Sequence, residues 1–532
     1  MRETIGLRAA EVGAAFVTAD EGLTVATLTP ALLIGSLTVL AAVAAVRLTT
    51  RSGLPSLVLY LGIGMLLGAA GIGILLEDVR TVEALASTAL AFILIEGGLT
   101  TRWENIRTVV APAVALATVG VVISTLVLAF CAHHLLGMEW PVALVIGAVL
   151  ASTDAGAVFS VLRGVPLPKR LSGLIEAESG FNDPPAIILV IALAGAAVDP
   201  TASALSFGLV LSAGWQLVGG IAVGLAIGWL GIRVLRLLAS TSSGLFALAV
   251  FAVATLAYSG AATVGVSGFI ACYVAAFIMG NSNLPHQQAV SGFGTALGWL
   301  AQIGLFVMLG MLATPAHLLD QAVPALYVGA ALLLVARPIS VGLTLLPFRL
   351  PWREQVFISW AGLRGAVPVV LATVPMAMGL DAEWIFDLVF VLVAMFVLLQ
   401  APLMLPVAKA LKVTAAYQST PLSVELVPLE ELDAAVLLIS VGKGSRLAGV
   451  QVPELRLPKG ANVTLIVRGG AGFVPSSTTV IRVGDELLVV TTARAAPAVE
   501  RRIQAVSAQG RLAGWLGGHR QTGTDPTPRG GR

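Results

Sequence analysis

An all-α polytopic membrane protein is the fold class this sequence predicts, and three observations predict it. Hydrophobic residues make up 57% of the 532 residues and charged residues only 11%, with a mean hydropathy of +0.94, far outside the range of soluble domains. Apolar runs long enough to span about 30 Å of hydrocarbon recur thirteen times, near residues 28–46, 54–73, 81–99, 108–136, 141–162, 171–198, 205–238, 243–260, 263–280, 296–314, 321–346, 355–379 and 384–411. The loop charges alternate with those runs. One set of loops carries Arg47, Arg51, Lys169, Arg170, Arg349 and Lys412, whereas the other holds Glu77, Asp78, Asp199, Asp320 and Glu383 with Arg80. Basic loops face the cytoplasm, which predicts a multi-pass protein of the cell inner membrane, N-terminus outside and C-terminus inside.

Composition divides the chain into an extracellular N-terminal segment over 1–27, a transmembrane domain over 28–412, a small α+β cytoplasmic domain over 413–504 and a disordered Gly-, Arg- and Pro-rich tail over 505–532. The N-terminal segment mixes acids with bases and lacks a signal-peptide pattern, so the first apolar run reads as a retained helix. The 57 glycines suit closely packed membrane helices. A net charge of +2, dispersed along the chain, gives no reason to expect a nucleic-acid partner. Cys131 and Cys272 sit in separate apolar runs and make neither a metal spacing nor a disulfide framework.

Thirteen segments divide into six, a linker helix and six, and the interruptions fall at matching places. The fifth segment of the first half carries Ala151-Ser152-Thr153-Asp154-Ala155-Gly156, and the fifth of the second half carries Gly362-Leu363-Arg364-Gly365-Ala366-Val367-Pro368. Thr153-Asp154 alone reads equally as a helix N-cap. Paired interruptions are instead the mark of two inverted six-helix repeats, with two broken helices crossing at a midplane site.

The sixth segment, Leu171 to Val198, contains Glu178-Ser179-Gly180-Phe181-Asn182-Asp183-Pro184-Pro185. An ionised side chain near the bilayer centre costs on the order of 3 kcal/mol or more and marks a pathway or a partner. Residues four apart share a helical face, so Ser179 lines up with Asp183 and Glu178 with Asn182. The two prolines lack N–H groups, which frees the carbonyls of Gly180 and Phe181. A hard monovalent cation wants such oxygens: the Asp183 carboxylate, the Ser179 hydroxyl and the Thr153 carbonyl, with Asp154 and Asn182 beside them. Arg337 and Arg364 also lie in apolar runs and need anions. Glu178 is expected to pair with Arg337 beside Asn182 as a structural ion pair. Arg364 is expected to balance the crossing, with Asp154 capping a half-helix dipole.

Thr153-Asp154, Glu178-Ser179 with Asn182-Asp183, Arg337 and Gly362-Leu363-Arg364-Gly365-Ala366 together resemble the signature set of the NhaP-like monovalent cation:proton antiporters, over roughly residues 25–412. Within that family the sequence resembles the branch called cell volume regulation protein A, a potassium or sodium:proton antiporter type. The resemblance implies a homodimer in membrane lipid, a core domain of segments four to six and eleven to thirteen moving against an interface domain, and electroneutral exchange of K+ or Na+ for H+ that serves pH, cation and volume homeostasis. One proline is the usual pattern where this chain has Pro184-Pro185.

Competition supplies a mechanism without ATP or a cofactor. A carboxylate in the membrane interior is tolerable when neutralised by a proton or a cation and costly when bare, so only loaded states cross readily.

After Lys412 the apolar runs shorten to strand length, at Val436–Val441, Val463–Arg468, Thr478–Val483 and Glu486–Thr492, with Gly484-Asp485 as a hairpin signal between the last two. Ser445-Arg446-Leu447-Ala448-Gly449, Val467-Arg468-Gly469-Gly470 and Gly484-Asp485-Glu486 resemble the RCK-C or TrkA-C regulatory domain. That resemblance implies either a dimerising role or a nucleotide or cyclic-dinucleotide ligand. A channel gated by such a domain is the alternative class, but no Thr-Val-Gly-Tyr-Gly filter is present. Walker, nucleophile-elbow and His-Glu-X-X-His patterns are absent too, so an enzyme is not expected.

Overall fold

The computed structural model describes residues 25–52, 56–68, 71–74, 79–154, 158, 162, 167–198, 207–238, 242–380, 382–414, 424–429, 434–442, 444–492 and 495–512. The N-terminal segment up to position 24 and the tail from position 513 lie outside them. The chain falls into two units, one ending at Thr414 and the other beginning at Ala415.

The first unit is helical: α1 Val25–Ser52, α2 Ser56–Leu67, α3 Val79–Thr100, α4 Val110–Leu136, α5 Trp140–Val149, α6 Lys169–Val198, α7 Phe207–Leu237, α8 Ser243–Thr263, α9 Gly268–Gly280, α10 Gln287–Leu312, α11 Ala322–Phe348, α12 Trp352–Ala361, α13 Val367–Ala377 and α14 Glu383–Ala410. Among the described residues eight helices are long and apolar enough to cross a bilayer, and shorter apolar helices occupy the other predicted segments. Two helix starts move by several residues. The helix expected from 263 starts at Gly268, because Gly265 takes φ +75° and Ser267 caps the new helix by accepting from the Ile270 N–H. The helix expected from 296 starts at Gln287, its Gly- and Ser-rich first turns packing beside α3 and α8.

These helices form two bundles. In the first, α2, α3 and α7–α10 pack mainly on one another. Gly220, Gly224 and Gly228, spaced four residues apart, form a stripe on α7 where a Cβ would come within 2.8 Å of the Ser267 cap and within 2.6 and 3.0 Å of α9 atoms, so only glycine allows that approach. The second bundle joins α4, α5 and α6 to α11–α14. Three of its helices contain a π-turn, at Leu116–Gly120, Leu332–Ala336 and Phe396–Gln400, which loosens the local ladder. Ser340 Oγ on α11 donates to the Gly120 carbonyl at 2.6 Å, satisfying one group the α4 turn leaves over. The bundles meet mainly where α6 and α13 touch α3, α7 and α10.

The second unit is a five-stranded antiparallel sheet with order β1-β2-β5-β3-β4 and one helix. Its strands are β1 Val424–Leu429, β2 Ala434–Ser440, β3 Asn462–Arg468, β4 Ala471–Phe473 and β5 Glu486–Thr492, followed by α15 Ala496–Gln509. Leu437, Ile439, Leu487, Val489, Val463 and Ile466 bury one sheet face in a core shared with Val499, Ile503 and Val506 of α15. Those last three, spaced four and three residues apart, carry the helix past position 505, where a disordered tail was expected. Thr478–Val483 is not a strand. It makes one bridge, Val480 to Gln451, and β5 pairs with β2 and β3 instead. The hairpin lies elsewhere, between β3 and β4, where Gly469 and Gly470 supply two positive φ values.

Asp485 is buried beneath this sheet, in a bidentate pair with Arg468 at 2.8 Å and accepting the Arg482 N–H at 2.7 Å. Burial pushes its carboxyl up, but the Arg468 guanidinium and the Arg482 amide outweigh that and hold it below the usual carboxylate range. A carboxyl lower in the folded than in the unfolded state contributes stability above the unfolded value, about 3.9. That contribution is lost as pH falls through the folded value. Hydrogen-exchange protection of β3 and β5 in the full chain is therefore expected to drop below about pH 4, and Asp485→Asn to flatten that dependence.

Candidate functional site

Two interrupted helices cross at the centre of the second bundle. Helix α5 stops at Val149, residues 152–154 run on outside the helix, and α12 stops at Ala361 before Gly362–Gly365. The crossing is tied by the Asp154 N–H, which donates to the Leu363 carbonyl at 2.8 Å. Arg364 is fully buried between the two carbonyl ends. Its Nε donates to Leu150 O at 2.7 Å and its Nη1 to Gly362 O at 2.8 Å, so one cation answers the partial negative charge of both half-helices.

The other polarity is met by Asp154. A Cβ at Gly365 would collide with Asp154 Oδ2 and lie 2.8 Å from its Cβ, so the carboxylate rests on the amino end of the helix that follows Gly365. Gly365→Ala must displace that side chain. It is expected to reduce transport by on the order of tenfold to a hundredfold, through misplacement alone, as flux in reconstituted vesicles would measure.

Helix α6 passes beside the crossing and continues through Pro184 and Pro185. Asp183 is buried, and Ser152 Oγ donates to its Oδ1 at 2.5 Å. Ser179 Oγ donates to the Thr153 carbonyl at 3.0 Å. Thus Asp183, Ser179 and Thr153 gather at one point. Asn182, expected among the ion-binding groups, points off this face: its Nδ2 donates to Thr153 Oγ1 at 2.7 Å and it does not line the cavity below. It reaches the site only by holding Thr153. On the same side Glu178 meets Arg337, Oε1 to Nη1 at 2.7 Å, both side chains about 5% exposed or less. Arg337 Nη2 also donates to the Ile358 carbonyl at 3.3 Å, joining α6, α11 and α12.

A cavity of about 310 Å³ opens on this group from the seam between the bundles. Thr153, Asp154, Ser179, Gly180 and Asp183 line it from the second bundle, and Glu96, Tyr273, Thr295 and Gln302 from the first. Of the two carbonyl-bearing residues ahead of the prolines, Gly180 borders the cavity and Phe181 turns its ring edge-on to Tyr273. Sequence reasoning missed Glu96 and Ser152. Glu96 stood in plain view as an acid within the apolar run 81–99, and Gly298 makes room for it, since a Cβ there would lie 2.9 Å from Glu96 Cγ.

A membrane bundle in which two broken helices cross beside a buried carboxylate, with a cavity that this and other acidic side chains line, defines a secondary ion transporter. Comparison with known proteins narrows this class. The chain belongs to the sodium/hydrogen exchanger family, whose transmembrane model matches residues 37–410. Residues 436–504 match the TrkA-C domain. The K(+)/H(+) antiporter NhaP2 of Shewanella oneidensis is 34% identical over 449 residues, 83% of this chain and 78% of that protein. The K(+)/H(+) antiporter NhaP of Alkalimonas amylolytica is 35% identical over 456 residues, 84% of this chain and 79% of that one. The structure of the sodium proton antiporter MjNhaP1 from Methanocaldococcus jannaschii matches with a TM-score of 0.63 at 22% identity, covering 72% of this chain and 99% of that one. The two share a fold.

Proposed function

We propose that the protein exchanges a monovalent cation, K+ or Na+, for H+ across the cell inner membrane by competition of the two for Asp183. One observation carries the reading: a buried carboxylate beside a hydroxyl and a backbone carbonyl, bordering a cavity that Glu96, Asp154 and Ser179 also line, and next to the crossing of two half-helices. Oxygens of these kinds suit a hard monovalent ion.

In this reading Asp183 takes either a proton or a cation. Ser179 and the Thr153 carbonyl complete the cation's shell, and Ser152 orients the carboxylate. Asn182 holds Thr153, and Glu96 draws cations into the cavity. Asp154 and Arg364 steady the crossing, and Glu178 with Arg337 braces α6 against α11. A bare carboxylate is costly in the membrane interior and a neutralised one is not, so each passage of a cation permits the opposite passage of a proton. With one carboxylate at the exchange point, one charge moves each way and the cycle is electroneutral.

The relatives named as K(+)/H(+) antiporters make K+ the first cation to test. The reading places the C-terminus in the cytoplasm, the working unit as a homodimer in lipid, and the TrkA-C unit as a regulator that takes a nucleotide or cyclic dinucleotide. A pH-dye assay in vesicles against a panel of monovalent cations tests exchange. Cation flux that persists without a counter-moving proton would identify a channel instead. Ending the chain at Thr414 is expected to alter the rate or its pH dependence, and an unchanged profile would remove the regulatory role.

A further inference from the structure

Exchange requires Asp183 to open to each side of the membrane in turn, and the seam between two separately packed bundles is where this structure can shear. Tyr273 stands on that seam. Its helix, α9, is held to α3 by Gly98, where a Cβ would lie 2.7 Å from the Tyr273 carbonyl oxygen. Its ring is stacked on Phe277, with centroids 6.5 Å apart, and receives the edge of Phe181 at 6.2 Å. The phenol is therefore fixed to the first bundle and directed at the second.

What it meets there is Gly180. A Cβ on that residue would be 2.5 Å from the Tyr273 hydroxyl oxygen but 3.3 and 3.5 Å from the nearest ring carbons, so the oxygen alone occupies the notch. The hydroxyl is buried and makes no hydrogen bond of good geometry to the described residues. Thr101, whose own hydroxyl donates to the Gly97 carbonyl at 2.7 Å, interacts with it and can still accept from the phenol. A buried hydroxyl so poorly satisfied disfavours the conformation that holds it. Along α6 the polar side chains nearest the notch on the cavity side are Ser179 and Asp183, and three residues of helix correspond to about 4.5 Å of rise. A slide of α6 by less than one turn thus offers the phenol an acceptor.

We infer that Tyr273 is a positioning residue of the exchange cycle: its hydroxyl seats in the notch at Gly180 and fixes the height of the Ser179–Asp183 face against the first bundle until α6 slides. The inference rests on the antiport reading and concerns turnover, since in this conformation the Tyr273 hydroxyl sits at Gly180 and not among the oxygens that Ser152, Ser179 and Thr153 set around Asp183.

The test is epistasis between Gly180→Ala and Tyr273→Phe in vesicles, with rate and half-saturating cation concentration measured separately. Tyr273→Phe is expected to lower maximal exchange about fivefold, the worth of one neutral hydrogen bond, at an unchanged half-saturating concentration. Gly180→Ala is expected to lower it further, and the double variant to match Tyr273→Phe alone, because the colliding oxygen is gone. If Gly180→Ala does not fold, recovery of folded yield in the double variant is the same readout. A double variant no better than Gly180→Ala, or a Tyr273→Phe that shifts only the half-saturating concentration, would overturn the inference. Full activity in Asp183→Asn would instead overturn the antiport reading beneath it.

Discussion

Asp183→Asn is expected to abolish cation-driven proton movement, by at least about a hundredfold, while the protein stays folded. The amide has the shape of the carboxylate, and its oxygen still accepts from Ser152 Oγ, now 2.5 Å from Asp183 Oδ1, so the local packing has no reason to change. What disappears is the capacity to be neutralised alternately by a proton and a cation, on which the proposed exchange depends. Dequenching of a pH dye in vesicles measures the loss, and thermal melting in detergent checks the fold. An Asp183→Asn protein that exchanges at more than a tenth of the wild-type rate would take Asp183 out of the proposed role.

The second large effect is on stability. Arg337→Met removes the partner of Glu178 and leaves an unpaired carboxylate with a side chain only 4% exposed, a change that costs about 3–5 kcal/mol where buried pairs have been broken in this way. Folded yield and melting temperature are expected to fall sharply. Replacing both partners, as Glu178→Gln with Arg337→Met, removes the uncompensated charge and is expected to recover more than half of the loss. Recovery stays incomplete because Arg337 also donates to the Ile358 carbonyl. A single variant as stable as the wild type would show that the pair braces nothing.

The parts of this site that were legible in the sequence are those where an apolar run is broken by a group with no business in oil. Thr153 and Asp154, Glu178 to Asp183 and Gly362 to Gly365 announce themselves in this way, and two arginines in apolar segments demand anions nearby. Partnership across the fold was harder to read. Glu96 looked like any stray acid until the packing of α3 against α10 turned it into the cavity, and Asn182 could be assigned to the ion until its amide was seen on Thr153. The π-turns carry no compositional mark at all. In the C-terminal unit, Thr478 to Val483 is rich in β-branched residues as a strand is, yet its backbone is spent elsewhere: Gly449 donates to Ile481, and Arg468 to Val480. Period alone does not say who the neighbour is.

The π-turn at Leu332–Ala336 ends one residue before Arg337. A widened turn holds one more residue than a regular one, and each residue of a helix advances the azimuth by about 100°. Everything downstream is therefore dialled round by that amount without the helix growing appreciably longer. Leu334, inside the turn, is 67% exposed on the outer surface, whereas Arg337 points inward at Glu178. A small defect in winding thus acts as a compass correction, turning the Arg337 guanidinium toward the Glu178 carboxylate.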